Sequence, residues 1–431
     1  MPITARDREI LRLALPALGA LVAEPLFLIA DYAIAGHGLG TSAVGALGVA
    51  GTVLSTLVYL CVFLAYGTTA SVARQIGAGN TERAMRSGVD GLWLAFGIGV
   101  ALIVVGWPLS PAIVDLFGAT ATQSADAVTY LRISLLGTPG MLVVLAGTGV
   151  LRGMQDTRTP LVVAVGSFAL NALLNAWFVL GLHWGIAGSA WGTVLAQTLG
   201  AAVYLWVVVG GARRAGVPLA PDLAGIAQAG TASVALLVRT VCLRIVLLVA
   251  TAVATRMGTA ELAAHAIATQ LWTLLALCLD AIAIAGQAIT GRSLGAGDAD
   301  GTRDATRRMV WWGVWSGVVL GVLVVAGRPF FPGIFDADPL VTAELLGVLW
   351  VVALFQPISG VVFVLDGVLI GAGDQRYLAW AGVWTTLAYL PVALVAGDLV
   401  VLWLALGVWM IARMLTLGIR AYGTRWLVTG G

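Results

Sequence analysis

Polar residues along this chain gather in short clusters, and between them the sequence runs apolar for twenty or more residues at a time. That length suits a membrane crossing, because a helix needs about 20 mostly apolar residues to span the hydrocarbon core. The apolar runs fall at roughly 10–35, 43–72, 88–109, 125–151, 160–182, 186–209, 224–255, 260–290, 309–328, 341–371, 377–397 and 399–420. They predict twelve helical spans joined by connectors too short for a soluble domain. In lipid every backbone polar group must be satisfied within the segment, so the expected fold class is an all-α integral membrane protein. The first run is too long for a signal-peptide core, contains Pro16 and Pro25 and is followed by further spans, which argues against a cleaved leader.

Composition agrees with the pattern. Hydrophobic residues make up 60% of the chain and charged residues 10%, and the mean hydropathy is +0.99. A soluble domain is about half apolar and about a quarter charged. The net charge of +2, without any long basic run, gives no footprint for a nucleic-acid partner. All 23 basic residues are arginine, and their placement orients the spans. With the N-terminus inside, the arginines of 6–12, 74–86, 152–158, 213–214, 292–308, 376 and 420–425 fall on the inner side, and the outer loops keep Arg256 and Arg328. Both termini are then cytoplasmic. Cys61, Cys242 and Cys278 are odd in number, lie in apolar stretches and lack metal-ligand spacing, so neither a disulfide framework nor a zinc site is expected.

The chain repeats itself. ARQIGAGN at 73–80 matches GRSLGAGD at 291–298, an offset of 218 residues. The same offset, without a gap, pairs Gly40-Thr41 with Gly258-Thr259, Phe117 with Phe335, Pro139 with Pro357, and GVLRGMQDTR with GVLIGAGDQR. Two homologous six-span lobes follow, residues 1–212 and 213–431. An even number of spans makes them a parallel repeat, related by an axis along the membrane normal, and rocking of two such bundles gives alternating access. The glycines and the Asp-x-Arg pairs of these loops read first as helix stops and caps.

Four acids sit well inside spans: Glu24, Asp31, Asp280 and Asp366. An unpaired charge there costs several kcal/mol, so such residues are functional candidates. None has an acidic counterpart in the other lobe; Glu24 pairs with Cys242, Asp31 with Val249, Asp280 with Val62 and Asp366 with Thr148. Asp31 falls late in an outward-running helix, where a partly desolvated carboxylate can bind and release a proton near neutral pH. The plain alternative is a protonated structural acid bonded to a neighbouring Asn or Tyr. Glu24, beside Pro25, reads equally as a substrate or proton contact and as a structural hydrogen bond. The second lobe adds Arg239, Arg244 and His265 to Asp280 and Asp366, which fits a structural ion-pair network as well as coupling or gating. The 16 tryptophans read mostly as interface anchors and packing, with room for a few to line a cavity for flat organic cations.

Several stretches together resemble the multidrug and toxic compound extrusion (MATE) family, and within it the DNA-damage-inducible protein F-like (DinF-like) branch. They are LALPALGALVAEPLFLIADYAIAGHGLG, VARQIGAGN, LNALLNAWFVLGLHWGIAGSAWGTVLAQ, LAAHAIATQLWTLLALCLDAIAIAGQAITGRSLGAG and LDGVLIGAGDQRYL. The resemblance implies twelve helices in two six-helix lobes and export of organic, often cationic or amphipathic, compounds against an inward flow of protons or sodium ions. It makes Asp31 the principal cation site of the N-lobe, with Asn171, Asn175 and Thr193 as partners, and Pro16 the point at which the first helix bends. Asn175 departs from the many relatives that carry an aspartate there. One carboxylate fewer favours proton over sodium, and no other cofactor is implied. The expected partners are small organic substrates and the lipid bilayer, the expected state is a monomer, and the expected location is a bacterial inner membrane. Arg239 and Arg244 keep open a lipid-linked oligosaccharide or lipid flippase of the same superfamily; a channel is the reading from another class. An enzyme is not expected, since no nucleophile motif, metal cluster or phosphate loop is present.

Overall fold

The computed structural model describes the backbone of residues 4–39, 41–116, 121–335 and 337–430, and their side chains except at 24, 27–32, 35, 37–39, 41–42 and 121–123. These residues form helices, with no strand among them. Ten helical segments are long and apolar enough to cross a membrane, and a bent pair supplies an eleventh. With α1 (Ala5–Leu39), whose apolar stretch includes side chains outside those described, these account for the twelve expected spans.

The spans after α1 follow the apolar runs closely. α2 (Thr41–Cys61) and α3 (Phe63–Gly77) make the second, and α4 (Thr81–Leu116) the third. The fourth is α5 (Ala121–Leu136) and α6 (Thr138–Gly153), bent by 49°. α7 (Arg158–Ala176) ends in a π-helical turn at Trp177–Gly181, and α8 (Gly185–Arg214) closes the first six. The second six are α9 (Leu223–Met257), α10 (Thr259–Gly295), α11 (Ala299–Gly327), α13 (Pro339–Gly371, after the single turn α12, Phe331–Ile334), α14 (Gln375–Leu394) and α15 (Leu399–Tyr422).

Packing divides the chain into two compact units: Gly19–Ser233, and Val234–Gly431 together with Met1–Leu18. The repeat concerns ancestry and this division concerns contacts, so their boundaries need not coincide. The first turns of α1 pack within the unit of α10 and α11. There Asp7, fully buried, accepts hydrogen bonds from Arg308 Nε (2.6 Å) and Nη2 (2.7 Å) and from Trp312 Nε1 (2.7 Å). The Arg308 guanidinium holds the Asp7 carboxyl well below the usual carboxylate range. Arg292 pairs with Glu9, and Arg6 with Asp304 at 3.3 Å. In the other unit the first turns of α9 lie against α4, where a side chain on Gly225 would collide with Asp90. Gly225 and Asp90 are the repeat counterparts of Asp7 and Arg308, so one packing relation recurs with different chemistry.

The repeat is legible in close backbone approaches. A side chain on Gly149 would collide with the Ala65 carbonyl, and one on Gly367 with the Ala283 carbonyl; glycines and carbonyls are both 218 apart. The loop motifs act as stops and caps. Gly79 and Gly297 take left-handed φ values of +74° and +79°, which glycine adopts without steric cost. Asp298 accepts from Gly301 N at 2.8 Å at the start of α11, and Asp156 accepts from Arg158 N at 2.9 Å and Thr159 N at 3.0 Å at the start of α7. The left-handed residue of the third loop is Gly373 (φ +75°), but its counterpart Gln155 (φ +67°) has a Cβ.

Candidate functional site

The Gly19–Ser233 unit carries the residues that the family resemblance singles out, Asn171, Asn175 and Thr193. Asn171 and Asn175 are one helical turn apart on α7, so both face the same way, and Thr193 comes from α8. All three are buried. Asn175 Nδ2 donates to Asn171 Oδ1 at 2.8 Å, and Asn171 Nδ2 donates to Thr193 Oγ1 at 3.0 Å. Thr193 Oγ1 in turn donates to the Ser189 carbonyl at 3.1 Å. Gly192 makes the arrangement possible, since a Cβ there would collide with Asn175 Oδ1. Nothing in the sequence around Gly192 signals that role. The set is neutral, with oxygens that can accept from a protonated group or turn toward a cation.

Asp31 and Glu24 both belong to α1, but their side chains lie outside the described residues. Pro16 is half-buried in the same helix, which runs through it without a break.

The other unit holds a charged cluster. Asp366 is buried on α13 and bonded by arginines from two other helices. Arg239 of α9 donates to Asp366 Oδ1 through Nε at 3.1 Å and to Oδ2 through Nη2, and Arg413 of α15 donates to Oδ2 at 2.8 Å. Both arginines are themselves buried. Low dielectric strengthens these charge-assisted bonds and makes loss of a partner expensive, so the cluster ties α9, α13 and α15 together. A small cleft lies beside it, with Thr385 and Thr416 in its wall. Arg413 escaped the sequence reading, although it interrupts an apolar run in WMIARML.

Arg244, Asp280 and His265 complete the candidates of this unit. Arg244 is half-buried on α9 and Asp280 half-buried on α10. His265 is buried on α10 with Nε2 3.3 Å from Thr251 Oγ1, and its ring centroid is 5.7 Å from that of Trp403. Cys61, Cys242 and Cys278 are free thiols.

Comparison with known proteins adds family and fold. The MatE family model matches residues 16–177 and again 235–395. The second match ends 218 residues after the first, at the offset of the repeat. Protein DETOXIFICATION 44, chloroplastic, of Arabidopsis thaliana is 31% identical over 97% of this chain and 82% of its own. DNA damage-inducible protein F of Escherichia coli K12 is 29% identical, covering 96% of this chain and 92% of its own. A crystal structure of MATE in the bent conformation superposes with a TM-score of 0.87 at 21% identity, over 97% of this chain and 96% of the other.

Proposed function

We propose proton-coupled export, from the premise that this chain belongs to the MATE family of multidrug and toxin efflux transporters. The protein is a multi-pass membrane protein. In our reading it lies in a cytoplasmic membrane with both termini inside, as the arginine distribution favours. It exports organic, often cationic or amphipathic, compounds by alternating access, one inward proton flux driving each outward step.

The observation that carries proton over sodium is the neutrality of the set formed by Asn171, Asn175 and Thr193. With asparagine at 175, Asp31 is the one carboxylate proposed for this site. A single carboxylate exchanges a proton readily, whereas sodium is held better by several oxygens with more than one negative charge. The flippase reading relies on arginines to bind phosphate. The commitment of Arg239 to Asp366 removes one of the two it invoked, which supports export of organic cargo instead.

Purified protein in liposomes tests this, with a fluorescent cation such as rhodamine 123 and proton or sodium gradients imposed separately. The proton gradient should drive dye movement and the sodium gradient should not. Asp31→Asn should abolish the gradient dependence while still binding dye. Undiminished coupling in Asp31→Asn, or transport driven by sodium alone, would sink the assignment.

A further inference from the structure

The ion pairs that fasten α1 to its unit leave a surplus of positive charge. The acids in the first turns of α1 and α11 are matched: Asp7 with Arg308, Glu9 with Arg292, Asp304 with Arg6 and Asp300 with Arg303. Arg8, Arg12 and Arg307 are exposed, and among the described residues none of their side chains has an ion-pair or hydrogen-bond partner.

Helix geometry puts the three on one face. Arg6 reaches the Gly301 carbonyl (2.8 Å) and Asp304, and Asp7 reaches Arg308 and Trp312, so α1 and α11 run parallel, side by side. Helical residues advance about 100° per position. Arg8, Arg12 and Leu15 then lie about 80–140° forward of Asp7, and Arg307, Trp311 and Trp315 about 20–100° behind Arg308. For parallel helices that face each other, forward on one and backward on the other are the same side. Exposure agrees: all of these residues are exposed except Trp311, which is half-buried with its ring 6.0 Å from that of Trp315. Leu15 and Trp315 stand about 10–12 Å further along their helices than Arg8 and Arg307. They are apolar yet 61% and 51% exposed.

Charge at the helix starts with apolar surface two turns deeper calls for a partner with the same two parts. A soluble anion, a nucleic acid or an acidic peptide meets the arginines alone, whereas a lipid with a negative headgroup meets both levels. Tryptophan at the boundary between headgroups and hydrocarbon fits the same depth. We propose that this face of α1 and α11 holds an anionic phospholipid of the leaflet at this end of the spans. Its phosphate accepts from Arg8, Arg12 and Arg307, whose planar guanidinium groups suit phosphate oxygens. Its glycerol and upper acyl region lie on Leu15 and Trp315. A phosphate so placed bridges the two helices beside the Asp7–Arg308 pair and tightens their seam. The proposal does not depend on the export function.

The test titrates full-length protein in neutral detergent with dioleoyl phosphatidylglycerol, or with zwitterionic dioleoyl phosphatidylcholine, and counts bound lipid by native mass spectrometry. Phosphatidylglycerol should bind saturably, roughly 10-fold more tightly than phosphatidylcholine, and should raise the melting temperature. One arginine near an anionic headgroup contributes roughly 5-fold. Arg307→Gln should therefore weaken phosphatidylglycerol about 5-fold, and Arg8→Gln with Arg12→Gln about 10- to 25-fold, with the lipid-free melting temperature unchanged. Trp315→Ser should weaken it roughly 3-fold by removing apolar contact. Arg376→Gln removes another exposed arginine of the same unit and should leave the affinity unchanged. A phosphatidylglycerol with a photoreactive diazirine in its headgroup, photolysed on wild-type protein, should label peptides containing 8–15 or 307–315, a readout that depends on no variant. Equal affinity for the two lipids, an equal loss in Arg376→Gln, labelling confined to other segments, or full competition by excess inorganic phosphate would overturn the lipid site.

Discussion

Position for position, the two repeats place different chemistry at equivalent positions. Where one has Asn171, Asn175, Gly192 and Thr193, the other has Tyr389, Ala393, Met410 and Ile411 at an offset of 218. The first set is a small neutral hydrogen-bond chain. The second is apolar and aromatic, with Tyr389 fully buried and its ring 6.5 Å from that of Trp409. Asp366 sharpens the contrast. Its counterpart Thr148 merely donates to the Tyr204 hydroxyl at 2.8 Å, whereas Asp366 gathers two arginines from other helices. Duplication supplied one frame twice, and divergence left one copy adaptable and the other clamped. A related asymmetry lies in the fourth span of each repeat. Gly137 interrupts the first copy just before Pro139, while Phe355 and Pro357 sit inside the continuous α13. The same proline breaks a helix only where its neighbours allow the turn.

The largest effect should come from breaking the clamp. Asp366→Ala leaves Arg239 and Arg413 buried without their carboxylate and should destabilise the protein by about 3–5 kcal/mol, read as loss of monodisperse protein or a collapsed melting temperature. Replacing all three, as Arg239→Met, Asp366→Leu and Arg413→Met, should recover most of that loss, since an apolar cluster of similar volume removes the buried charge. Failure of the triple variant to recover would mean that the cluster does more than hold helices.

Next in size is the neutral hydrogen-bond chain. Gly192→Ala pushes a methyl into Asn175 Oδ1 and should cost about 1–3 kcal/mol, with gradient-driven transport reduced more than dye binding. The double variant Asn175→Ala with Gly192→Met imports the other repeat's pair. It should melt near the wild-type temperature yet fail to couple transport to the proton gradient. If it couples normally, the hydrogen-bond chain is packing alone.

Smaller again is the staple at the start of α1. Asp7→Asn should lower the melting temperature by several degrees in differential scanning calorimetry, by weakening the bonds from Arg308 and Trp312. Because the folded Asp7 carboxyl titrates below the unfolded value of about 3.9, its contribution is complete above that value and is lost only as pH falls further. Wild type and Asp7→Asn should therefore differ equally at pH 7 and pH 5 and converge only in stronger acid. The smallest expected change is Gln155→Gly, which relieves a left-handed residue that the other repeat already fills with Gly373; a gain of about 0.5 kcal/mol is expected after the entropy of the extra glycine is subtracted. The reverse change, Gly373→Gln, should lose a similar amount.

Twelve spans, two lobes and the private character of each intramembrane acid were legible before any coordinates, because apolar run length and a constant repeat offset are properties of the chain itself. The cap role of Asp156 and Asp298 was legible for the same reason, being local to one turn. What pairs with what was not. Arg239 and Asp366 are 127 residues apart and Arg413 is 47 from Asp366, and only the rotation and depth of three packed helices bring them onto one carboxylate. Gly192 was equally silent in sequence, where it looks like an ordinary membrane-helix glycine. Hydrophobicity tells a segment that it must be a helix in lipid, and it carries no instruction about which face meets which neighbour. That choice belongs to the packing, where a missing Cβ at Gly192 lets an asparagine in and arginines from two other helices close on Asp366.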